Sequence, residues 1–206
     1  MNRVSALSTA AMLIALPLVA CGGGESAGGA SGGQESAQPA AQQSSSEQAE
    51  PQEGGGEVSM PDWMTYDQGA NTLTMDIDAG ETSDNNSWNF NGYFGGKGEV
   101  FIPADAEVTV NFTNKDQNMA HSFGAVSERG NFPANFTNPQ PVFAGAITKN
   151  PTSLTGATLP GQSETVTFTA DQPGQYSFVC FIPGHAAVGM YLHFTVDQSG
   201  KVGIQG

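Results

Sequence analysis

The chain has 206 residues, of which 20 are acidic and 6 are basic, so its formal net charge at pH 7 is -14. A surface with this charge repels nucleic acid and anionic lipid headgroups, which disfavours a nucleic-acid-binding function and favours a positively charged protein partner. The length suggests one domain, with room for an appendage.

The first 20 residues are predicted to be a signal peptide rather than part of the fold. Arg3 supplies a positive start, and residues 11–20 form an apolar run that is shorter than the ~18–20 residues needed to span a bilayer. The run ends in the sequence LVAC, which resembles a bacterial lipobox, so Cys21 is predicted to be the lipid-attached first residue of the mature protein. The alternative is an ordinary secretory signal that is cleaved nearby. In either case the protein is expected to be exported. A lipid on Cys21 would also hold it at a membrane, facing the periplasm or the cell exterior.

Residues 21–57 are predicted to be a disordered tether. This segment is rich in Gly, Ser, Gln and Glu and contains no aromatic or β-branched residue. Such a composition cannot bury enough apolar surface to offset the conformational entropy that folding removes. The globular domain is therefore expected to occupy residues 58–206.

The globular part is predicted to be all β. Apolar and polar residues alternate with period two in five short segments, which are residues 71–79, 107–114, 164–170, 175–180 and 190–196. Turns rich in Gly and Pro separate them. Short strands of this kind predict an antiparallel β-sandwich. Residues 127–160 are rich in Asn, Pro, Gly and Thr and are predicted to be a long loop with little regular structure.

The segment CFIPGHAAVGM, residues 180–190, carries the most specific chemical signal. If Cys21 bears a lipid, Cys180 has no partner for an intramolecular disulfide, and a lone thiol in an exported protein calls for an explanation. Its loop also contains His185 and Met190, and a trigonal His₂Cys set with a weak axial Met is the blue-copper electron-transfer geometry. His121, in NMAHSFGAV, can supply the second imidazole from the end of a different strand.

Each of these residues also has an ordinary structural interpretation. A free cysteine such as Cys180 is often a small buried hydrophobe, and only the joint spacing of the four residues favours copper. Met119 is a less favoured alternative to the loop methionine. His193 has the outward parity of its strand and is predicted to be a solvated surface histidine, and Trp63 and Trp88 are interpreted as packing residues.

The ligand loop resembles that of small blue copper proteins, the cupredoxins, and in particular that of sulfocyanin and its relative rusticyanin. Residues 88–116, WNFNGYFGGKGEVFIPADAEVTVNFTNKD, resemble the sulfocyanin segment that leads to the first histidine, so the likeness covers roughly residues 88–196. The resemblance implies a Greek-key, cupredoxin-like β-sandwich with one copper ion bound by His121, Cys180, His185 and Met190. It also implies that other residues surround and adjust the site, namely Ser122 (where most cupredoxins carry asparagine), Phe181 and Pro183.

The function implied is that of a membrane-anchored one-electron carrier, not an enzyme. Its expected partners are redox proteins such as a c-type cytochrome or a terminal oxidase, and the chain itself is expected to be a monomer. The apolar surroundings of the site predict a relatively high reduction potential. Residues 186–188 are predicted to form an apolar docking patch around an exposed edge of His185.

Two other functions remain open from the sequence. A copper chaperone or scavenger would give its ion away instead of cycling it between redox states. A module of a multicopper enzyme would need a second metal site, and one spare histidine is too few to build it within this chain.

Overall fold

The computed structural model describes residues 57–206. The predicted signal peptide, the lipid-attachment residue Cys21 and all but the last residue of the predicted tether lie outside the described residues. Within residues 57–206 the chain forms nine strands, which are β1 Met64–Asp67, β2 Thr72–Ala79, β3 Glu99–Pro103, β4 Glu107–Asn114, β5 Gly124–Val126, β6 Ser163–Thr169, β7 Gly174–Val179, β8 Tyr191–Asp197 and β9 Gly203–Gln205. Two short 3-10 helical turns accompany them, at Asp84–Ser87 and Ala186–Val188.

Across this described part, no helix is both long enough and apolar enough to cross a bilayer.

The strands form two sheets, one with the order β1-β2-β4-β6 and the other with the order β5-β7-β8-β3-β9. The all-β fold class is confirmed, but the expectation of purely antiparallel pairing is wrong for two pairs. Strand β2 runs parallel to β4, and β3 runs parallel to β8. Parallel neighbours need a crossover connection, and in both cases at least one other strand intervenes in the chain.

Alternation of apolar and polar residues explains how the first sheet covers the core. In β2 the side chains of Leu73, Met75 and Ile77 are buried, and the threonine and aspartate residues between them are more exposed. Leu73 and Ile77 lie opposite Val108 and Phe112 of β4 in the parallel register. Because successive side chains of a strand point to opposite faces, this pattern places one continuous apolar face against the second sheet.

Aromatic rings fill the space between the sheets close to the ligand segments. Phe178 of β7 stacks on Phe194 of β8 with ring centroids 4.0 Å apart, and on Phe123 with centroids 4.7 Å apart. Fully burying side chains of this size contributes about 1.5–3 kcal/mol each. Since Phe178 precedes Cys180 by two residues and Phe123 follows His121 by two, the aromatic stack anchors both segments that carry the predicted ligands.

Residues 127–160 contain no strand or helix, as the sequence predicts, but they are packed onto the sheets. Phe132 and Phe143 are buried, and isolated bridges join this segment to the rest of the fold. Near its start, Arg129 forms two hydrogen bonds with the Glu99 carboxylate of β3, at 3.0 and 3.1 Å. The segment is therefore an ordered part of the domain.

Candidate metal centre

Cys180 lies at the end of β7 and is fully buried. Its backbone N–H donates to the Met190 carbonyl at 3.1 Å, which closes the ligand loop at its base. Burial raises the pKa of the Cys180 thiol to about 11, although the Ser122 N–H donates a hydrogen bond to the sulfur at 3.4 Å and favours the thiolate. A metal cation that replaces the thiol proton would remove the cost of a buried anion.

The short loop after Cys180 turns back on itself and delivers His185 to the sulfur. The His185 Nδ1 atom lies 3.5 Å from the Cys180 Sγ atom. The His185 N–H donates to the Ile182 carbonyl at 3.0 Å, and the Met190 N–H donates to the His185 carbonyl at 2.9 Å. Gly189 adopts a φ of 111°, which a side chain would strain, so glycine allows the chain to turn there into β8.

His121 reaches the site from a different part of the fold. It precedes β5 and exchanges two backbone hydrogen bonds with Thr158, at 3.0 and 3.1 Å. Its Nδ1 atom lies 3.9 Å from Cys180 Sγ, and its Nε2 atom lies 3.0 Å from Asp116 Oδ2. An ionised carboxylate can only accept hydrogen bonds, so the Nε2–H donates to Asp116 and the Nδ1 lone pair is left for a metal.

The structure thus brings together three of the four predicted ligands around one point. Ligand atoms of His121, Cys180 and His185 all lie within 4.8 Å of one another, and all three residues are buried. Met190 is also fully buried, and its backbone hydrogen bonds tie it to Cys180 and His185. Two imidazoles, a thiol and a thioether in this arrangement are consistent with one type 1 copper ion.

Both imidazoles are poised in the neutral form that metal binding requires. Burial, together with the nearby His121, lowers the pKa of His185 to about 4. Burial also lowers the pKa of His121, although the Asp116 carboxylate acts in the opposite direction. Neither ring therefore needs to lose a proton before it binds a cation at neutral pH.

Asp116 is a buried carboxylate that sequence reasoning did not identify as part of the site. Burial raises its pKa, but hydrogen bonds from the Asn118 N–H and from His121 outweigh burial, so the net shift is downward. The Asn118 N–H donates to Oδ1 at 2.8 Å, and the Asp116 N–H donates to the Asn114 side chain at 3.0 Å. The sequence held one signal for this role, an acidic residue five positions before the histidine in the loop after β4.

Ser122 connects the His121 segment to the ligand loop. Its hydroxyl accepts a hydrogen bond from the Phe181 N–H at 2.8 Å and lies 3.7 Å from Cys180 Sγ. Phe181 is buried in a second apolar cluster, where its ring packs edge-on against Phe136. Pro183 is exposed at the outer edge of the loop.

The expectation of an exposed imidazole edge at His185 is wrong. Only 1% of His185 is exposed, because the indole ring of Trp88 stacks on it with centroids 4.2 Å apart and an angle of 18° between the planes. Ala187 and Val188 are exposed as predicted, whereas Ala186 is buried. No spacing rule pointed to Trp88, because it approaches the site from a loop far away in the chain.

His193 lies outside the cluster, and the prediction of a fully solvated side chain needs correction. It is half-buried, and its Nδ1 atom lies 3.0 Å from the Ser177 hydroxyl across the β7–β8 pair. The Tyr191 ring also packs beside it, with centroids 5.4 Å apart. The residue does face away from the core, but neighbours on the same face of the sheet partly cover the ring.

The family whose model matches the chain is described as the sulfocyanin (SoxE) domain, and the match covers residues 60–204, well over half of the sequence. Rusticyanin from Acidithiobacillus ferrooxidans is 36% identical over 91 residues, which are 44% of this chain and 54% of that protein. The matched segment thus spans about half the length of the curated relatives.

Two solved structures are among those similar to part of this chain. A crystal structure of rusticyanin variants is 23% identical with a TM-score of 0.47, and the alignment covers 68% of this chain and 86% of that chain. A dithionite-reduced auracyanin from the photosynthetic bacterium Roseiflexus castenholzii is 26% identical with a TM-score of 0.41, over 60% of this chain and 96% of that chain.

Proposed function

The chain belongs to the sulfocyanin (SoxE) domain family of blue copper electron carriers, and we propose that it carries single electrons at a membrane surface, to which a lipid on Cys21 attaches it. The observation that supports electron carriage most strongly is the buried cluster of His121, Cys180 and His185. A protein that only stored copper would gain little from burying every ligand beneath a packed β-sandwich.

When bound, copper supplies a one-electron couple between Cu(I) and Cu(II). The protein contributes a ligand frame that changes little between the two states. His121 is held by Thr158 and Asp116, and Cys180 and His185 are held by backbone hydrogen bonds within one short loop. Because these contacts do not depend on the oxidation state, little rearrangement accompanies electron transfer.

The surroundings of the site support a relatively high reduction potential. His121, Cys180 and Met190 are fully buried, and the Ser122 N–H donates to the sulfur, which reduces its electron donation to the metal. The Asp116 carboxylate opposes this trend, because its negative charge favours the more positive oxidised state. A redox titration that placed the couple in the low range of ordinary cupredoxins would contradict this part of the proposal.

A reversible colour change without loss of copper distinguishes an electron carrier from a copper chaperone. The copper-loaded full chain should bleach with ascorbate, recover its blue colour with a strong oxidant such as hexachloroiridate(IV), and keep its copper in the presence of a moderate chelator. A chaperone would release the ion to the chelator within the same period. Loss of copper on the first reduction cycle would favour the chaperone function.

Attachment to the membrane is tested at Cys21. The full chain expressed with its own signal should be found in the membrane fraction, and Cys21→Ser should move it to the soluble fraction after the signal is cleaved. A Cys21→Ser variant that remained in the membrane fraction would contradict lipid attachment at this residue.

The partner that fits this protein is a basic redox protein, such as a c-type cytochrome or a domain of a terminal oxidase. The exposed Ala187 and Val188 lie on the ligand loop and offer an apolar contact close to the site. Ala187→Asp should slow electron exchange with such a partner and leave the blue colour intact. An unchanged rate would argue against docking at this patch.

A further inference from the structure

None of the ligand side chains reaches solvent within the described part of the chain. His121, Cys180 and Met190 are 0% exposed, and His185 is 1% exposed. An electron must therefore cross at least one other residue on its way between the site and a docked partner.

Trp88 lies in a position to connect the buried site with the protein surface. Its ring is nearly parallel to that of His185, with centroids only 4.2 Å apart, while Trp88 itself is partly exposed. We propose that Trp88 is the residue through which electrons enter and leave the copper site, with the indole bridging His185 and a docked partner. The inference rests on the proposed electron-carrier function and specifies its route.

The turn before Trp88 is held in an unusual conformation. Asn85, Asn86 and Ser87 have φ values of 49°, 59° and 61°, three consecutive left-handed residues without a glycine. Left-handed conformations cost L-residues about 1–2 kcal/mol each, and less for asparagine, whose side chain can form local hydrogen bonds. The Asn85 side chain donates to the Trp88 carbonyl at 2.8 Å, so the turn fixes the backbone at the point where the indole leaves it.

The residue after Trp88 secures the same loop from the other side. Asn89 is fully buried, and its amide donates to the carbonyls of Thr82 and Asp84, both at 2.9 Å. The side-chain oxygen of Asn89, Oδ1, accepts a hydrogen bond from the Gly92 N–H at 3.1 Å. Trp88 thus lies between two anchored residues, and its ring is held over His185 by a rigid loop.

Two nitrogen atoms in this stack show that ring contact decides its geometry. In residues 57–206, the buried side-chain nitrogen and oxygen atoms that lack a hydrogen-bond partner are Trp88 Nε1 and His185 Nε2. A buried polar group without a partner costs about 1–3 kcal/mol. Contact with the His185 ring, and not a hydrogen bond, therefore holds the indole in this orientation.

The surface beside Trp88 is continuous with the apolar end of the ligand loop. A side chain built at Gly189 would place its Cβ 3.4 Å from the Asn85 amide, so the turn and the loop are direct neighbours. Val188 is 54% exposed there, and Asp84, in the same turn as Trp88, is also exposed. An apolar centre with an acidic residue at its edge fits a redox protein that presents an apolar contact surrounded by basic residues.

One electron would pass from the haem iron of a reduced basic c-type cytochrome through Trp88 and His185 to the oxidised site, with no bond made or broken. The indole conducts by electronic coupling and is itself neither oxidised nor protonated.

The test compares ring-removing with ring-preserving variants of the copper-loaded full chain, mixed with a basic c-type cytochrome of the opposite redox state in a stopped-flow instrument. Trp88→Leu and Trp88→Met should lower the electron-transfer rate about tenfold, because loss of the ring weakens the electronic coupling between His185 and the partner. Trp88→Phe keeps an aromatic ring and should stay close to the parent rate. Trp63→Leu is the matched control, because Trp63 packs edge-on against Tyr93 instead of a ligand.

Two further readouts show whether the copper site is intact and whether the ring contact with His185 is lost in each variant. The visible and EPR spectra of all variants should match those of the parent, which shows that the copper site and the proposed function are intact. In the metal-free protein, the upfield ring-current shift of the His185 ring protons should vanish in Trp88→Leu and persist in Trp88→Phe. A parent protein that never turns blue would instead refute the carrier function itself.

The proposal would be overturned if Trp88→Leu and Trp88→Met transferred electrons at the parent rate or faster while their spectra were unchanged. Trp88 would then be a cover that excludes water from His185, and electrons would take another route. Using two apolar replacements guards against a folding defect in one of them, since an unaltered spectrum identifies the variant whose rate is informative.

Discussion

Asp116 gives the ligand His121 a negatively charged hydrogen-bond partner that is shielded from solvent. Its Oδ2 atom lies 3.0 Å from the imidazole Nε2 atom, and the nearby Lys115 is engaged with Asp78 and Glu81 instead. A carboxylate in this position orients the ring and favours the oxidised site, which carries one more positive charge.

Replacement of the carboxylate by an isosteric amide should therefore raise the reduction potential. We expect Asp116→Asn to raise it by about 60 mV, equivalent to about 1.4 kcal/mol for one electron, a modest value for a charge a few ångströms away. The measurement is a spectroelectrochemical titration. Glu107→Gln is the control, because Glu107 is exposed at the opposite end of β4. An unchanged or lower potential in Asp116→Asn would contradict this role.

The protonation states of the ligands lead to a second prediction at this scale. The Cys180 thiol, with a pKa of about 11, is protonated at pH 7, whereas His185, with a pKa of about 4, is neutral. Metal uptake by the metal-free protein should then release about one proton, which comes from the thiol.

This release can be measured by calorimetric titration with zinc(II) in buffers of different ionisation enthalpy. Zinc(II) is a suitable probe because it is redox-inert and binds these donor types. In Cys180→Ser the release should be close to zero. Proton release well above one from the parent protein would mean that the imidazoles are charged before the metal binds.

The spacing of the ligand loop was enough to identify Cys180, His185 and Met190 as neighbours, because all three lie on one short segment. His121 followed from its place near the end of a strand. Asp116 and Trp88 were missed because their roles depend on the direction in which two separate loops fold back toward the site. That direction is a property of the tertiary structure and leaves no periodic signal in the sequence.

At the scale of the elements, the site depends on strands β7 and β8, which enter and leave the ligand loop. Phe178 of β7 stacks on Phe194 of β8 and on Phe123 beside the His121 segment. One side chain thus links three segments that carry or adjoin the predicted ligands.

Phe178→Ala should lower the free energy of unfolding of the metal-free protein by about 3–5 kcal/mol, the usual cost of deleting a buried phenylalanine ring. Urea unfolding followed by far-UV circular dichroism measures the change. Leu154→Ala, at a side chain that is 59% exposed, should change the free energy by less than about 0.5 kcal/mol. A loss below 1 kcal/mol in Phe178→Ala would contradict the role assigned to the aromatic stack.

Long strands with clear alternation were predictable, and short ones were not. Strands β2, β4, β6, β7 and β8 match the alternating segments to within one residue at each end. Strands β5 and β9 have only three residues each, too few for a periodic pattern, and β3 ends in a proline. The parallel pairs could not be foreseen either, because alternation indicates which face is buried and carries no information on the direction of the neighbouring strand.

At the scale of the whole molecule, the excess of acidic residues shapes how the protein meets its partners. The formal net charge of -14 should attract a basic redox protein from a distance. The bimolecular rate of electron exchange with a basic c-type cytochrome should therefore fall steeply as the ionic strength rises, since salt screens this attraction over about 10 Å at 0.1 M.

Stopped-flow measurements over a series of salt concentrations test this expectation. An acidic c-type cytochrome is the matched control and should react faster as salt is added. A rate with the basic cytochrome that was flat or rose with ionic strength would show that the charge does not steer docking.

The central claim is that Cys180 binds copper directly within a rigid site. Its most direct test is the visible absorption and EPR spectrum of the oxidised, copper-loaded full chain, measured beside Cys180→Ser and the control His193→Ala. The account predicts an intense blue band and a narrow copper hyperfine splitting in the parent and in His193→Ala, and the loss of both in Cys180→Ser. A colourless oxidised parent, or a blue Cys180→Ser variant, would contradict it.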